Sequence, residues 1–502
     1  MPGTAPASAA IQGANLIGGE RREAGDGRTF ESRNPAFRSE LVGTFPHSGA
    51  ADVDAAVAAA ERAFQEWRHV PWPARGDIIL RAAMIMEQRK EELARLMTRE
   101  MGKVLVEARG DVQEGIDMGK YMAGQSRLAF GETVPSELRN KWAMTMRQPL
   151  GVAGIITPWN FPLAIPTWKI FPALLCGNAV VFKPAEDSPA CALRLVEILH
   201  EAGLPEGVVN TVFGYGEDAG AAVVRHPGVA GISFTGSVET GAVIAQTCGR
   251  LLKRCSLELG GKNAIVVLDD ADVELAVDGA LWGAFGTAGQ RCTASSRLIV
   301  TPRVLGDFTD LLVDRTRQLR IGDGLDEAVQ VGPMINGPQR DRAHGYTEIG
   351  VGEGALLLTG GDRVTDASLS EGFFYQPTIF AGVTAGMRIA QEEIFGPTTA
   401  IIPAASADDA IVAANATRYG LSLSVYTNDL QRAFGAINDL EAGIVYVNAP
   451  TIGAEIQLPF GGTKNTGNGH REAGRVAFDQ FSEWKSIYVD YSGRLQRAQI
   501  DT

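Results

Sequence analysis

Short apolar segments alternate with helix-length segments over residues 152–234, and this alternation constrains the fold more than any other feature of the chain. Strand patterns fall at 152–157, 179–183, 208–213 and 231–234, and helices are predicted through residue 175 and over 190–202. This order is typical of a parallel α/β sheet. Because such sheets bind ligands outside the carboxyl ends of their strands, the residues that directly follow these strands are the first candidates for a site.

A second α/β region follows the first. Its strand patterns lie at 263–268, 297–300, 399–402, 422–426 and 443–447, and its predicted helices at 273–285, 305–319, 407–416 and 430–440. Near the N-terminus, helices are predicted at 51–66, 73–100 and 111–127, and a strand at 141–149. The alternating segment 484–491 predicts a strand that is far in sequence from any partner, so we expect it to pair with another surface or another subunit.

The composition excludes several classes of protein. The 502 residues are 45% hydrophobic and 21% charged, as in an average soluble globular protein, and the net charge of −13 disfavours binding to nucleic acid or to an anionic membrane. The five cysteines form no CxxC pair and the six histidines no HExxH motif, so we expect free thiols and no metal site. No apolar run reaches the roughly 18 residues of a membrane helix. We therefore expect a cytoplasmic protein.

One cysteine stands apart from the other four. Cys292 follows a Gly-Gln-Arg turn, which favours irregular and accessible backbone where a thiol is able to act as a nucleophile. The alternative is a small buried core residue. That alternative is the interpretation we adopt for the remaining cysteines, Cys176, Cys191, Cys248 and Cys255.

Two further polar residues occupy unusual contexts. Glu258 lies between two leucines and ahead of a Gly-Gly pair, where desolvation raises the pKa of a carboxyl and suits it to general-base work. The alternative is a surface glutamate in a loop. Asn160 lies in a loop bounded by two prolines directly after the first strand, where its amide is able to donate to a developing oxyanion. The alternative is an asparagine that stabilises its own turn.

Several residues that suit a nucleotide follow the other strands. Lys183 and Glu186 lie three apart at a strand end, where a ribose fits, although a plain surface ion pair is the alternative. The segment 234–241 predicts a helix whose N-terminal amides face an anion. The glycine turn 214–216 and the segment 392–397 complete this set. Each signal is weak by itself.

Together, and in this order, the motifs resemble those of the NAD(P)-dependent aldehyde dehydrogenase superfamily over nearly the whole chain. The matching motifs are PWNFP, KPAE, FTGS, LELGGK, GQRC, EEIFGP and, near the C-terminus, LPFGG. The resemblance is specific because several independent motifs occur in the family's order.

The resemblance implies an α/β fold with three parts. A Rossmann-like parallel-sheet nucleotide-binding domain is expected over residues 1–127 and 149–259, and an α/β catalytic domain over 260–465. A small β oligomerisation arm and C-terminal segment are expected over 128–148 and 466–502. Because an arm that completes a sheet in another subunit satisfies an edge strand, we expect a homodimer or a homotetramer.

The resemblance also implies NAD-dependent oxidation of an aldehyde to a carboxylic acid. Cys292 is then the nucleophile that forms a thiohemiacetal and a thioester, and the Asn160 amide with the Cys292 backbone N–H holds the oxyanion. Glu258 activates the water that hydrolyses the thioester, and its presence favours hydrolysis over transfer of the acyl group to coenzyme A. Lys169 and Glu472 match a proton relay behind Glu258. The rivals are a non-catalytic member of the family and a cofactor-free thiol esterase.

For the cofactor, the resemblance places Lys183 and Glu186 at the adenosine ribose. A carboxylate there accepts both ribose hydroxyls and repels a 2′-phosphate, so we expect NAD rather than NADP. The full set of residues expected at the cofactor is Thr157, Trp159, Lys183, Glu186, Gly216, Gly236, Ser237, Glu393 and Phe395.

For the aldehyde, the resemblance implies a pocket with three apolar walls, Phe161, Trp168 and Phe460. Other features resemble the α-aminoadipic semialdehyde (antiquitin-type) branch, in which the matching residues hold the amino acid end of the substrate: Glu114, Arg291 and the loop 453–456 with Gly453 and Ala454. The chain departs from that branch at PWNFP and at the Leu-Pro pair before Phe460. The alternative is that Glu114 caps or decorates a helix and that the enzyme accepts ordinary aliphatic or aromatic aldehydes.

Overall fold

The structure, a computed structural model, describes residues 9–128 and 130–500. Up to residue 125 the chain forms β1 (Ile11–Gln12), β2 (Asn15–Ile17), β3 (Glu20–Arg22), β4 (Thr29–Arg33), β5 (Leu41–Pro46), α1 (Ala50–Trp67), α2 (Trp72–Gln88), α3 (Lys90–Met101) and α4 (Leu105–Gln125). It continues to residue 258 with β6 (Thr133–Val134), β7 (Lys141–Pro149), β8 (Val152–Ile156), α5 (Ala164–Cys176), β9 (Ala179–Lys183), α6 (Pro189–Glu201), β10 (Val209–Thr211), α7 (Ala221–Arg225), β11 (Val229–Thr235), α8 (Val238–Leu251) and β12 (Arg254–Glu258).

The remainder of the chain begins with β13 (Asn263–Val267), α9 (Val273–Phe285), β14 (Ser295–Val300), α10 (Pro302–Arg317), α11 (Gly337–Gly352), β15 (Leu356–Thr359), β16 (Thr378–Ala381) and α12 (Arg388–Gln391). It ends with β17 (Thr398–Pro403), α13 (Ala407–Asn415), β18 (Tyr419–Gly420), β19 (Ser422–Tyr426), α14 (Leu430–Asp439), β20 (Ile444–Val447), β21 (Thr463–Lys464), α15 (Phe478–Phe481) and β22 (Ser482–Asp490).

The first large sheet has the strand order β12-β11-β8-β9-β10-β2-β3. Strands β8 to β12 run parallel, and β2 and β3 join one edge antiparallel. Successive side chains of a strand point to opposite faces: Ile155 of β8 packs with helices α2 to α6, whereas Ile156 packs with α1, α7 and α8. Helices therefore cover both faces, and the predicted α/β class with a Rossmann-like parallel sheet is confirmed.

A second sheet of seven strands has the order β15-β16-β17-β14-β13-β19-β20. All of its neighbours run parallel except the edge strand β15. The two sheets meet in sequence at the short connection from β12 to β13, which is residues 259–262. The predicted domain bounds remain a prediction.

A small third sheet joins β22 to β7 and β7 to β6. Strand β22 pairs with β7 in antiparallel register from Ser482 opposite Pro149 to Asp490 opposite Lys141. Of the two expected partners, another surface or another subunit, this edge of the C-terminal strand therefore takes a surface of its own chain, and its partner is a strand more than 300 residues earlier that local sequence patterns do not reveal.

Other local predictions also differ from the structure. The helix predicted over 73–100 is two helices, because Arg89 leaves the helical region with φ −103° and ψ 15°. Helix α4 begins at Leu105, six residues earlier than the predicted start at 111. Strand β12 was not predicted, and Glu258 ends that strand with 3% exposure rather than lying in a surface loop. Among the described helices, none is both long and apolar enough to cross a membrane.

Candidate active site

A cavity of about 720 Å³ opens at the carboxyl ends of β8, β11 and β12. Its volume lies within the range of small-molecule and cofactor sites. Its wall includes five of the predicted cofactor residues together with two predicted catalytic residues: Trp159, Gly236, Ser237, Glu393, Phe395, Asn160 and Cys292. The same wall carries residues that the sequence did not single out, among them Gln339, Arg342, Arg418 and Tyr419.

One end of this cavity is the N-terminus of α8. The Ser237 side chain caps the helix by accepting a hydrogen bond of 3.1 Å from the Thr240 backbone N–H. The first turn of a helix leaves N–H groups without intrahelical acceptors and carries a partial positive charge. This end of the cavity therefore suits an anion such as a pyrophosphate.

Four predicted cofactor residues do not line this cavity within the described chain: Thr157, Lys183, Glu186 and Gly216. They lie on the same edge of the sheet, where the Thr157 N–H donates to the Lys183 carbonyl over 3.3 Å. Lys183 Nζ and Glu186 Oε2 form an ion pair of 2.7 Å, and Lys183 is buried whereas the Glu186 side chain is 31% exposed. Only the glutamate is thus open to a ligand from solvent.

A backbone hydrogen bond holds the Glu393 carboxylate in the wall of the cavity. Its Oε1 accepts the Gly261 N–H at 2.9 Å, and a Cβ at Gly260 would collide with its carboxylate. Burial raises the pKa of Glu393 to about 7. Trp159 meets Phe395 edge to face with ring centroids 5.5 Å apart.

A smaller cavity of about 100 Å³ lies on the other side of the nucleophile candidate. Its lining contains all seven residues predicted for the aldehyde pocket, namely Glu114, Phe161, Trp168, Arg291, Gly453, Ala454 and Phe460. Cys292 and three apolar or hydroxyl neighbours, Ile165, Thr235 and Leu259, line both cavities. The thiol therefore lies at the junction between the two spaces.

Two asparagine hydrogen bonds and one close glycine contact fix the backbone at Cys292. Asn160 Nδ2 donates to the Gln290 carbonyl at 3.1 Å, and Asn263 Nδ2 donates to the Cys292 carbonyl at 2.8 Å. A Cβ at Gly261 would collide with the same Cys292 carbonyl. Sequence reasoning missed Asn263, although it directly follows the LELGGK motif. Burial, and then the charges of nearby carboxylates, raise the pKa of Cys292 to about 12 in this resting arrangement.

Glu258 faces the smaller cavity from the end of β12. Neither of its carboxylate oxygens has a hydrogen-bond partner among the described residues, and the close approach of Gly461 leaves no room for a Cβ there. Burial, reinforced by the Glu472 carboxylate, raises the pKa of Glu258 well above its usual value, while Lys169 opposes the shift. A buried and unpaired carboxyl of this kind is suited to accept a proton.

Lys169 and Glu472 form a fully buried ion pair behind Glu258. Lys169 Nζ also donates to Ser233 Oγ at 3.0 Å. The Glu472 backbone exchanges two hydrogen bonds of 2.7 Å with that of Phe460, which ties this pair to the pocket wall. The structure thus brings the two predicted relay residues together, and it adds Ser233.

The smaller cavity combines an aromatic wall with charged groups. Trp168 and Phe460 pack edge to face at 4.9 Å, and the Arg291 guanidinium lies 5.4 Å from the centre of the Phe161 ring. Glu114 belongs to α4 but faces this cavity instead of only decorating a helix.

The charges around Glu114 are unevenly paired. Burial, and then the neighbouring Asp111, raise the pKa of Glu114 to about 8, against the effect of Lys103 and Arg291. Lys103 is itself paired with Asp111 at 2.8 Å. Glu114 has no hydrogen-bond partner among the described side chains and backbone, so its carboxyl is available to a ligand.

Comparisons with known proteins agree with this geometry. Residues 22–487 match the sequence model of the aldehyde dehydrogenase family. The chain is similar to an alpha-ketoglutaric semialdehyde dehydrogenase of Bacillus subtilis (strain 168), with 42% identity over 475 residues, 95% of this chain and 97% of the relative. It is also similar to a betaine aldehyde dehydrogenase of Rhizobium etli, with 43% identity over 477 residues, 95% of this chain and 96% of the relative. A crystal structure of betaine aldehyde dehydrogenase from Staphylococcus aureus in complex with NAD+ superposes with a TM-score of 0.94 at 34% identity, covering 96% of this chain and 95% of that chain.

Proposed function

This chain belongs to the aldehyde dehydrogenase family, and from that membership we propose how its residues carry out the NAD-dependent oxidation of an aldehyde to a carboxylic acid. The observation that carries the proposal is the position of Cys292 at the junction of two cavities. The larger cavity suits a dinucleotide and the smaller one an aldehyde. A thiol between them is able to bond to the aldehyde carbon while that carbon faces the nucleotide.

The residues of the larger cavity and of the neighbouring strand ends fit NAD. The α8 N-terminus with Ser237 would hold the pyrophosphate, and the Glu393 carboxylate would accept a hydrogen bond from the nicotinamide ribose. Glu186 would accept from the adenosine ribose and repel a 2′-phosphate, which favours NAD over NADP. Lys183, Thr157 and Gly216 support that edge of the site. When bound, NAD accepts the hydride that leaves the substrate carbon.

Cys292 supplies the covalent step. The Cys292 thiol first gives up its proton to water in the adjoining cavities. The thiolate then adds to the aldehyde carbonyl carbon and forms a thiohemiacetal, and loss of hydride from that carbon leaves a thioester. The oxyanion that develops on the carbonyl oxygen accepts from the Cys292 backbone N–H and from the second Nδ2 hydrogen of Asn160, because the first already reaches the Gln290 carbonyl. The bond to Gln290 holds the Asn160 amide in one orientation.

Glu258 completes the cycle by hydrolysis. It accepts a proton from a water that attacks the thioester carbon, and the C–S bond then breaks to give the carboxylic acid and the Cys292 thiolate. The unpaired and buried carboxylate of Glu258 supports this role. The Lys169–Glu472 pair behind it passes the proton onward. These intact groups argue against a non-catalytic protein, and the nucleotide cavity argues against a thiol esterase as the main activity.

We further propose that the aldehyde carries an acidic group at its far end. Two nitrogens of Arg291 already contact other residues of the protein: Nε donates a hydrogen bond and Nη2 forms an ion pair. The third nitrogen, Nη1, has no hydrogen-bond partner in the described part of the chain. With a pKa of about 8, Glu114 is protonated at neutral pH, so it donates to a carboxylate rather than repelling it. A cationic aldehyde such as betaine aldehyde needs Glu114 ionised, a state that neutral pH disfavours.

The test is NADH formation by the purified enzyme with α-ketoglutaric semialdehyde, α-aminoadipic semialdehyde, betaine aldehyde and propanal at matched concentrations. The expected order begins with the two semialdehydes that carry a carboxylate at the far end, whose KM rises as the pH passes about 8 and Glu114 ionises. Glu114→Gln, which has no ionisable proton, abolishes this pH dependence of KM. A preference for betaine aldehyde that strengthens with pH contradicts the acidic far end, and equal rates with propanal remove any role for Glu114.

We also propose a cytoplasmic homodimer or homotetramer. The free state of all five cysteines supports a reducing compartment. Exposed aromatic side chains on the small third sheet support contact with another subunit, since Trp142, Trp484 and Tyr488 are 57%, 54% and 67% exposed. Light scattering of the purified enzyme measures the assembly, and a monomer contradicts this proposal.

A further inference from the structure

The backbone that leads to Cys292 adopts an uncommon conformation. Three consecutive residues are left-handed: Thr287 (φ 53°, ψ 34°), Ala288 (φ 51°, ψ 37°) and Gly289 (φ 68°). Glycine is required at the last position, because a Cβ there would collide with the Gly396 carbonyl oxygen. The first position is the costly one, since a β-branched side chain disfavours positive φ. Such conformations persist only where the surroundings impose them.

Glu107, in the first turn of α4, imposes this conformation on Thr287. Its Oε2 accepts from the Thr287 backbone N–H at 2.8 Å and from the Thr287 hydroxyl at 2.9 Å. Gly286 permits the approach, because a Cβ at that position would lie 2.9 Å from Glu107 Oε1. The two residues are 180 positions apart in the chain, so one carboxylate joins α4 to the turn before the nucleophile.

The same carboxylate also engages the residue directly before Cys292. Arg291 Nη2 lies 3.3 Å from Glu107 Oε1, and Arg291 Nε donates to the Thr287 hydroxyl at 3.0 Å. The side chains of Arg291 and Glu107 are only 10% and 9% exposed. Thr287 and Arg291 thus share one acceptor, and the three residues between them have little freedom.

We propose that Glu107 is a positioning residue for the nucleophile: it acts through Thr287 and Arg291 to fix the backbone N–H of Cys292. Glu107 lines neither cavity in the described chain and touches no reacting atom. The inference rests on the proposed role of Cys292. A hydrogen-bond donor to a developing oxyanion must be held in place before reaction, because even about 1 Å of misplacement is able to cost about 10²-fold in rate. Asn160 and Asn263 each fix the backbone around Cys292 by a hydrogen bond to a carbonyl oxygen. Glu107 provides a further constraint on the same stretch of backbone.

The test separates positioning from a general contribution to stability. Glu107→Gln keeps the size of the side chain but removes its charge. We expect kcat to fall about 10- to 100-fold, a loss of the size that misplacement of a reacting group produces. The KM values for NAD and for propanal, which has no acidic end for Arg291 to hold, change little. Hydrolysis of an activated ester without NAD falls by a similar factor, because the same backbone N–H serves that reaction. Unchanged kcat in this variant overturns the proposal.

A rescue experiment tests the strained turn itself. Thr287→Gly removes the steric cost of positive φ, so the turn no longer depends on Glu107. We expect the double variant of Glu107→Gln and Thr287→Gly to have a kcat close to that of Thr287→Gly alone. Losses that multiply in the double variant overturn the proposal. If Glu107→Gln does not fold, Thr287→Val, which keeps the branched shape but loses the hydroxyl bonds, must fall below Thr287→Gly in kcat.

Glu91→Gln is the matched control. Glu91 pairs with Arg109 at 2.8 Å on the surface, with about half of its side chain exposed, so its loss leaves kcat unchanged. Wild-type enzyme that forms no NADH with any aldehyde contradicts the proposed function. Wild-type enzyme that is active, together with a fully active Glu107→Gln variant, contradicts only the role of Glu107.

Discussion

Among the described residues, two lysine–carboxylate pairs have both side chains buried, and one of the two lies beside a catalytic candidate. The side chains of Lys103 and Asp111 are 0% exposed and 2.8 Å apart. Those of Lys169 and Glu472 are 0% and 2% exposed. The chemical groups and their burial are nearly the same. What separates the two pairs is what each pair contacts.

The first pair, Lys103 and Asp111, helps to join helix α4 to helix α5. Asp111 Oδ1 accepts the backbone N–H of Ala164 at 2.8 Å, which anchors the start of α5. Lys103 Nζ lies 3.7 Å from the centre of the Phe161 ring, a cation–π contact. Lys103 and Asp111 therefore balance each other's charge. This pair supports the wall of the aldehyde pocket, and the unpaired carboxyl beside it, Glu114, has a proposed role in binding the substrate rather than in moving a proton.

The second pair faces a carboxylate that has no partner. Glu258 is close enough to Glu472 for that charge to raise its pKa, yet neither Glu258 oxygen accepts a hydrogen bond in the described structure. An unsatisfied buried carboxyl is costly and persists where it has a task. The comparison teaches that burial of an ion pair does not by itself mark function. Each pair has an unpaired carboxyl beside it, Glu114 or Glu258, and the task of that carboxyl decides what the pair supports.

The largest effect is expected at that unpaired group. In Glu258→Gln, steady-state turnover falls about 10²- to 10⁴-fold, the usual contribution of a general base. A burst of one NADH per active site remains, because thioester formation does not use Glu258. Stopped-flow absorbance measures both phases. Asp111→Asn, the matched control at the first pair, keeps near-normal turnover, and loss of the burst in Glu258→Gln contradicts the assigned step.

The sequence predicted the local parts of this fold better than its long-range contacts. The strands at 179–183 and 422–426 and the helix at 273–285 have the predicted bounds in the structure, because alternation and helical periodicity report local burial. Strand β12 was missed, since its sequence RCSLE begins with polar residues and shows no apolar run. The pairing of β22 with β7 depends on residues more than 300 positions apart, which no local pattern encodes.

In the candidate site, too, the residues within motifs were predicted and those defined by long-range contacts were not. Motifs located Cys292, Glu258 and Asn160, and the structure brings all three to the cavity walls. Glu107 and Asn263 were not identified, because their importance lies in contacts with distant backbone atoms rather than in a motif. Hydrogen bonds between a buried side chain and a remote carbonyl or N–H require tertiary structure before they can be recognised.

The second prediction compares the two lysines directly. Lys103→Met and Lys169→Met each leave a buried carboxylate without its cation, so each lowers the free energy of unfolding by about 3–5 kcal/mol. Only Lys169→Met also lowers turnover per folded molecule, by more than about tenfold, because it perturbs the general base. Chemical denaturation and active-site titration measure the two quantities. Equal losses of turnover in the two variants contradict the conclusion that only the Lys169–Glu472 pair supports catalysis.

The third prediction concerns pH. Glu258 acts as a base when ionised, so hydrolysis of the thioester accelerates as the pH rises through the raised pKa of this residue. Glu472 raises that pKa and Lys169 lowers it. Glu472→Gln removes the raising charge and keeps the lowering one, so the ascending limb of the pH–rate profile moves to lower pH. Asp111→Asn leaves the limb in place, and a shift to higher pH in Glu472→Gln contradicts the coupling.

The smallest effect is expected at the second partner of Lys169. Ser233→Ala removes the 3.0 Å hydrogen bond to Lys169 Nζ but leaves the ion pair with Glu472, so the unfolding free energy falls by about 1.5–3 kcal/mol, less than after removal of the lysine. Ser256 lies opposite Ser233 in the sheet register, and its buried hydroxyl has no partner among the described residues. Ser256→Ala is therefore a control that costs no hydrogen bond. If the two serine variants unfold at the same denaturant concentration, Lys169 depends on Glu472 alone, and the two buried pairs then differ only in the carboxyl beside each, Glu258 or Glu114.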